Sequence, residues 1–215
     1  MPQLTLTAVV SGTPDPASGY LCNIKEIDRC LRQVVTDRLI PELAGCSMSE
    51  MPPAESVLQT SFDLVAASMV SHATLQQLTL CLSPRHQISI YAHANAMVQL
   101  TQQFEFSAAH RLHCDSLTDQ ENRDVFGKCN NANGHGHNYV IDISVDRAFD
   151  SQTKAAPAIS VHVLEKIVRG EVIDRMDHKH LNEDIDYFRD VNPTVENIAI
   201  AIWNWLRVPL QSAGL

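Results

Sequence analysis

Positive charge is what this 215-residue sequence has least of: 16 Lys and Arg stand against 25 Asp and Glu, a formal net charge of -9. A grip on a nucleic-acid backbone takes clustered Lys and Arg, so the balance argues against a nucleic-acid binder. It leaves room for an anionic small molecule, since one pocket can be cationic within an acidic protein. No stretch approaches the ~20 apolar residues that a spanning helix needs. Met1 to Val10 has neither the basic lead nor the apolar core of a signal peptide. These absences point to the cytoplasm rather than a membrane. With 45% hydrophobic and 19% charged residues, collagen-like, disordered and coiled-coil chains are excluded. Cys22, Cys30, Cys46, Cys81, Cys114 and Cys129 come without an export signal, so reduced thiols are expected. Histidine, by contrast, is plentiful, with ten copies. It is the commonest metal ligand and the usual proton carrier near neutral pH.

Alternation of apolar and polar residues predicts strands over Leu4–Val10, Leu78–Leu82, Gln87–Ala92, Val98–His110 and Tyr139–Val145, with a hairpin turn at Ser83–Arg85. Helical spacing runs from Ile24 to Val35, capped by Asn23 and ended by Pro41. Further helical patterns cover Val57–Met69, Val161–Met176 and Val195–Trp205, while Asp115–Asn133 reads as an irregular polar stretch. The order hides a repeat. Gly19–Pro41 lies beside Ala156–His178 without a gap, with Arg32 on Arg169 and Asp37-Arg38 on Asp174-Arg175. Pro52–Ser56 likewise falls beside Pro193–Asn197. The pattern predicts an α+β protein of two related, incomplete units, residues 1–94 and 98–215, joined by a small-residue linker at Ala92–Met97.

The chemistry-bearing residues crowd into the second unit. His135 and His137 are two apart on a strand, so both imidazoles face one way and can meet one ion. His110 ends another strand on the face shared with Phe104 and Phe106, and a third imidazole there leaves a metal with an open position, as catalytic zinc has. Cys129 sits in the polar loop Gly127–Gly134 beside Lys128, where a thiol near a metal is favoured as thiolate and can serve as base or nucleophile. The alternative is Cys129 as a fourth ligand, which would make the site structural. Asp177 and His178 follow a helix and suit a proton relay. A carboxylate is unfavourable at a helix C-terminus, which favours function over capping. The first unit has Ile40-Pro41 at the matching positions.

Together, Phe106–Leu112, Phe126–Asn131, Gly134–Tyr139, Asp177–Asn182 and Pro193–Asn197 resemble the 6-pyruvoyl-tetrahydropterin synthase family, which includes the bacterial 6-carboxytetrahydropterin synthases of queuosine biosynthesis. The resemblance spans roughly Val98 to Leu206. It implies a tunnelling fold (T-fold): antiparallel sheets, each with a helix pair on one face, joined in a homo-oligomer with active sites at the interfaces. It also implies Zn2+ on His110, His135 and His137, and 7,8-dihydroneopterin triphosphate as substrate. Cys129 would be the general base and Asp177 and His178 the relay. Ser107, Thr194 and Glu196 would bind substrate, and triphosphate would leave by elimination in a carbon–oxygen lyase reaction. The five residues between Cys129 and His135 are similar to the pyruvoyl-forming type; the carboxy-forming type has a shorter gap and is the alternative. A non-catalytic pterin-binding or assembly protein of the same fold is the rival. Its support is that the family's pterin-recognising glutamate has Leu82 near its place in the first unit, while the second unit stops at Leu215, before the corresponding strand. The first unit, without cysteine loop or His-Gly-His, is expected to be structural.

Overall fold

The computed structural model describes residues 4–44, 53–69, 73–92, 97–149 and 159–215. Most of the expected linker, together with Cys46 and Pro52, lies outside them. The chain forms two compact units, one made of Met1–Gln102 and Ile143–Ile159, the other of Gln103–Asp142 and Ser160–Leu215. This division differs from a cut at 94–98 because two long strands contribute to both units.

The first unit opens with β1 (Thr5–Gly12). Helix α1 (Ile24–Val34) begins where the Asn23 side chain accepts the Lys25 N–H, the expected cap. Pro41 does not end this helix. The chain continues through a five-residue π turn at Val35–Leu39 into α2 (Ile40–Ala44), which contains Pro41. In the π turn the Ile40 N–H reaches back to Val35 O, and this widening lets the helix absorb a residue that regular α-helix spacing excludes. Helix α3 (Ala54–Ser68) follows. Strands β2 (Ala73–Ser83) and β3 (His86–Tyr91) form the expected hairpin about Pro84-Arg85, and β3 pairs with the start of β4 (Met97–His110). One parity of these strands buries Leu78, Leu80, Ile88, Ile90, Val98 and Leu100. Helix α3 packs on β2 and β3 and buries Val57, Leu58 and Val65. The other parity is polar: Thr79 and Ser89 hydroxyls bond at 2.8 Å, and Thr101 meets Ser144 at 2.8 Å.

The second unit takes the end of β4 and the start of β5 (His135–Ala148). The stretch read as irregular holds α4 (Asp119–Phe126), started by a reciprocal Thr118–Glu121 capping box, and a 3-10 turn at Gly127–Asn130. The Thr-x-x-Glu signature was present in the sequence; its helix is short and lacks an apolar stripe. Helix α5 (Val161–Val168) runs through a second π turn, Arg169–Ile173, into α6 (Asp174–Met176). A two-residue strand, β6 (Lys179–His180), pairs in parallel with Ala108 and Ala109 of β4. After α7 (Leu181–Asp184) comes α8 (Val195–Ser212), which packs on α5. Leu164, Val168, Val172, Met176, Ile198 and Ile202 are buried at helical spacing. No helix of the described residues is long and apolar enough to cross a membrane.

Within the first unit Glu55 is 5% exposed, and its Oε1 accepts the Ile159 backbone N–H at 2.9 Å. Removing that acceptor strands a buried N–H, which costs about 1–3 kcal/mol. Glu55→Ala is therefore expected to lower the unfolding free energy measured by urea titration by that amount, while Glu55→Gln, which keeps an acceptor oxygen, stays closer to wild type.

Candidate functional site

Strand parity brings the end of β4 and the start of β5 together on one face. Phe106 stacks on Tyr139 at 5.0 Å between centroids, and beyond that pair lie His110 and His137, 4.8 Å apart. Cys129, from the 3-10 turn, places Sγ 3.8 Å from His137 Nε2. One ligand atom from each of His110, Cys129 and His137 lies within 4.8 Å of the others. His135 stands beside His137, centroids 4.5 Å apart, outside that three-way group. The three-histidine set and the cysteine-containing set thus share His110 and His137.

The orientation of His110 is fixed. It is 5% exposed, and its Nδ1 lies 2.8 Å from Pro193 O, the residue just before the cap of α8. A carbonyl accepts only, so the proton sits on Nδ1 and Nε2 carries the lone pair. That Nε2 is buried and has no hydrogen-bond partner. A bare, buried imidazole lone pair beside a second imidazole and a thiol suits a metal ion, and a carbonyl on the other ring nitrogen is the usual orienting partner of a metal-bound histidine. Burial is also the main reason His110 titrates below its usual range; the neighbouring imidazoles add to it, while the Pro193 bond opposes it. His137 is lowered as well, by burial and then by His135. Burial, with the charge of Cys129, pushes the Tyr139 hydroxyl up to about 12.

Asp177 and His178 pair with each other at 2.8 Å. Asp177 Oδ1 accepts the Ser107 N–H at 2.9 Å, and His178 N donates to Ser107 O at 2.6 Å. The Ser107 and His178 bonds hold the Asp177 carboxyl below the usual carboxylate range. His178 has φ 57°, the left-handed region that costs a non-glycine residue about 1–3 kcal/mol, and such residues cluster at functional sites. Its imidazole is 84% exposed. Among the described residues no hydrogen bond joins Asp177 or His178 to Cys129. Ser107 Oγ donates to Asn138 Oδ1 at 2.8 Å. Thr194 caps α8 by accepting the Asn197 N–H, and Glu196 is exposed in the first turn. A bond to its own backbone N–H, then the Thr194 hydroxyl, keeps the Glu196 carboxyl low.

A cleft of about 570 Å³ borders this group. His137, His178, Lys179 and His180 line it, with Ser107 and Asn138, and among the described residues no carboxylate does. In a chain of net charge -9, this lining holds a lysine and three imidazoles.

Motif reading missed the asparagines that hold the loop after His110. Asn182 accepts the Arg111 N–H and donates to Arg111 O. Asn130 donates to Leu112 O, and Asn192 accepts the His113 N–H. The fully buried Asn122 accepts from Cys114 N and donates to Cys114 O. Scattered single asparagines carry no periodicity, so only the folded chain reveals them as a set.

A model of the family described as 6-pyruvoyl tetrahydropterin synthase matches residues 99–215. The chain is similar to the 6-pyruvoyl tetrahydrobiopterin synthase of Drosophila melanogaster, 41% identical over 116 residues, 54% of this chain and 68% of that one. The Homo sapiens protein of the same name is 41% identical over 109 residues, covering 51% and 74%. A solved structure of the Caenorhabditis elegans 6-pyruvoyl tetrahydropterin synthase is 39% identical, covers 52% of this chain and 77% of its own, and superposes with a TM-score of 0.46.

Two outcomes follow from the site geometry. Gly134 has φ +78°, and a Cβ there would overlap His180 Nε2 and come within 3.3 Å of His110 O. Gly134→Ala is expected to weaken metal retention in a dialysis competition without abolishing folding. The second concerns acid stability. Because folded His110 titrates below its unfolded value, the unfolded chain takes up its proton first, and stability falls as pH drops below about 6.5. The melting temperature of metal-free wild type is expected to fall more between pH 7.5 and 5.5 than that of His110→Gln.

Proposed function

Because the chain belongs to the 6-pyruvoyl tetrahydropterin synthase family, we propose that its site releases triphosphate from 7,8-dihydroneopterin triphosphate, with zinc held by histidines and Cys129 moving the proton. It is a lyase acting on phosphates. Its relatives bear the pyruvoyl-forming name, and the carboxy-forming alternative has no support among them. The observation that carries the reading is the buried, bare Nε2 of His110 gathered with His137 and Cys129.

His110, His137 and His135 would hold the zinc, which when bound acidifies the C–H beside the side-chain hydroxyl it polarises. The protein's own residues do the rest. Pro193 O keeps the His110 proton on Nδ1. Cys129, 3.8 Å from His137, is close enough to take a proton from a substrate held at the same place. Asp177 orients the exposed His178 imidazole, which can hand a proton on. The Thr194–Glu196 turn, fixed to the site through Pro193, faces a pterin ring, and the carboxylate-free cleft admits the anionic tail. The lack of a bond between the Asp177–His178 pair and Cys129 supports a homo-oligomer in which one copy's pair serves another copy's cysteine. The first unit, residues 1–94 in the sequence division, has no counterpart of these residues and serves as scaffold. The free thiols of Cys22, Cys30, Cys81, Cys114 and Cys129 accord with a reducing cytoplasm.

Zinc analysis of purified protein, followed by an assay of triphosphate release, tests the reading; zinc-loaded, folded protein without turnover would leave a pterin-binding or assembly role in its place. Cys129→Ala is expected to keep its zinc and lose about 10²- to 10⁴-fold in turnover. Loss of zinc in that variant would instead make Cys129 a ligand. His178→Asn, which tolerates the left-handed backbone, is expected to fold normally and turn over slowly.

A further inference from the structure

We propose that Arg111 binds a phosphate group of the substrate's polyphosphate tail, an inference that rests on the triphosphate-releasing reading above. A guanidinium carries five N–H donors and a charge it cannot lose. Among the described residues the Arg111 guanidinium makes one hydrogen bond, from Nη2 to His113 Nδ1 at 3.3 Å, and no ion pair. Its Nε is buried and has no acceptor. The one neighbour offers no negative charge. His113 Nδ1 also faces the Asn130 Nδ2–H₂ at 3.0 Å, so this nitrogen is the lone-pair side of a neutral ring whose proton sits on Nε2, toward Asp115. With 25 acidic residues in the chain, four other arginines of the described residues pair with carboxylates, Arg32 with Asp28, Arg38 with Glu42, Arg175 with Glu171 and Arg189 with Asp186, while Arg29, Arg123, Arg169 and Arg207, which show no such pair, are exposed. Arg111 is half-buried and left without one.

Its backbone, in contrast, is over-determined. Asn182 holds Arg111 through both N–H and C=O, at 2.8 and 3.0 Å. The next residue bonds to the cysteine loop, Leu112 N to Cys129 O at 2.8 Å. Arg111 therefore directly follows His110 and is tied to the segment that carries Cys129. A cation whose main chain is fixed in advance and whose donors are unspent is arranged for an incoming anion, because binding then costs little loop ordering. The planar fork matches two phosphate oxygens at once, which an ammonium does not.

Isothermal titration of inorganic tripolyphosphate into the zinc-loaded full chain tests this, with Arg111→Gln and Arg111→Lys beside wild type. We expect Arg111→Gln to bind tripolyphosphate about 10- to 100-fold more weakly and Arg111→Lys to fall between. Affinity for 7,8-dihydroneopterin, which lacks the tail, should not change in either, nor should the melting temperature. Tripolyphosphate affinity that is absent in wild type, or equal in wild type and Arg111→Gln, overturns the proposal. So does a parallel loss of dihydroneopterin binding, which would mark a structural role. A changed sedimentation mass with intact tripolyphosphate affinity overturns it in favour of an ion pair between copies. Arg111-dependent tripolyphosphate binding in a wild type without turnover would support this proposal while removing the catalytic reading.

Discussion

A single hydrogen bond, from His110 Nδ1 to Pro193 O at 2.8 Å, sets the terms for the site. It joins the last residue of β4 to the residue before the cap of α8, and so ties the strand end to the turn that opens that helix. It also decides the tautomer. With the proton on Nδ1, the buried Nε2 must present its lone pair to whatever lies beyond. A buried polar atom with no partner is costly, and a metal ion bound there would offset that cost. The gathering of His137 and Cys129 around the same space follows from strand parity on β5 and from the 3-10 turn that delivers the cysteine.

Around this centre the balance of charged side chains differs from that of the chain as a whole. Asp177 is the nearby carboxylate of the motif, and it is spent on Ser107 N–H and His178. The cleft keeps Lys179 and three imidazoles without a carboxylate. The acidic surplus is thus absent from the described lining of this cleft, where the proposed anionic substrate would enter.

Much of this was legible in the sequence because it depends on period and adjacency. Two-residue periodicity put Phe106, Ala108 and His110 on one face, and they are buried there. His135 and His137 share a side for the same reason. Asn23 caps its helix as its side-chain chemistry dictates. What escaped has non-local causes. Pro41 ends a regular helix, but a π turn just upstream accommodates it, and no local pattern announces a π turn. Helix α4 is carried by a capping box rather than an apolar stripe. The asparagines that hold Arg111 to Cys114 come from four separate places in the chain. Strand spacing brought the three histidines into view but not the approach of Cys129, which a 3-10 turn delivers to His110 and His137 while His135 stands alongside.

The most direct test of the account is the tautomer of His110, read from long-range ¹H–¹⁵N correlations of the imidazole nitrogens before and after adding zinc. The account predicts a protonated Nδ1 and a bare Nε2 in metal-free protein, with the Nε2 resonance moving to a metal-bound position on zinc addition while Nδ1 stays protonated. A protonated Nε2, or an Nε2 resonance that zinc does not move, would contradict it.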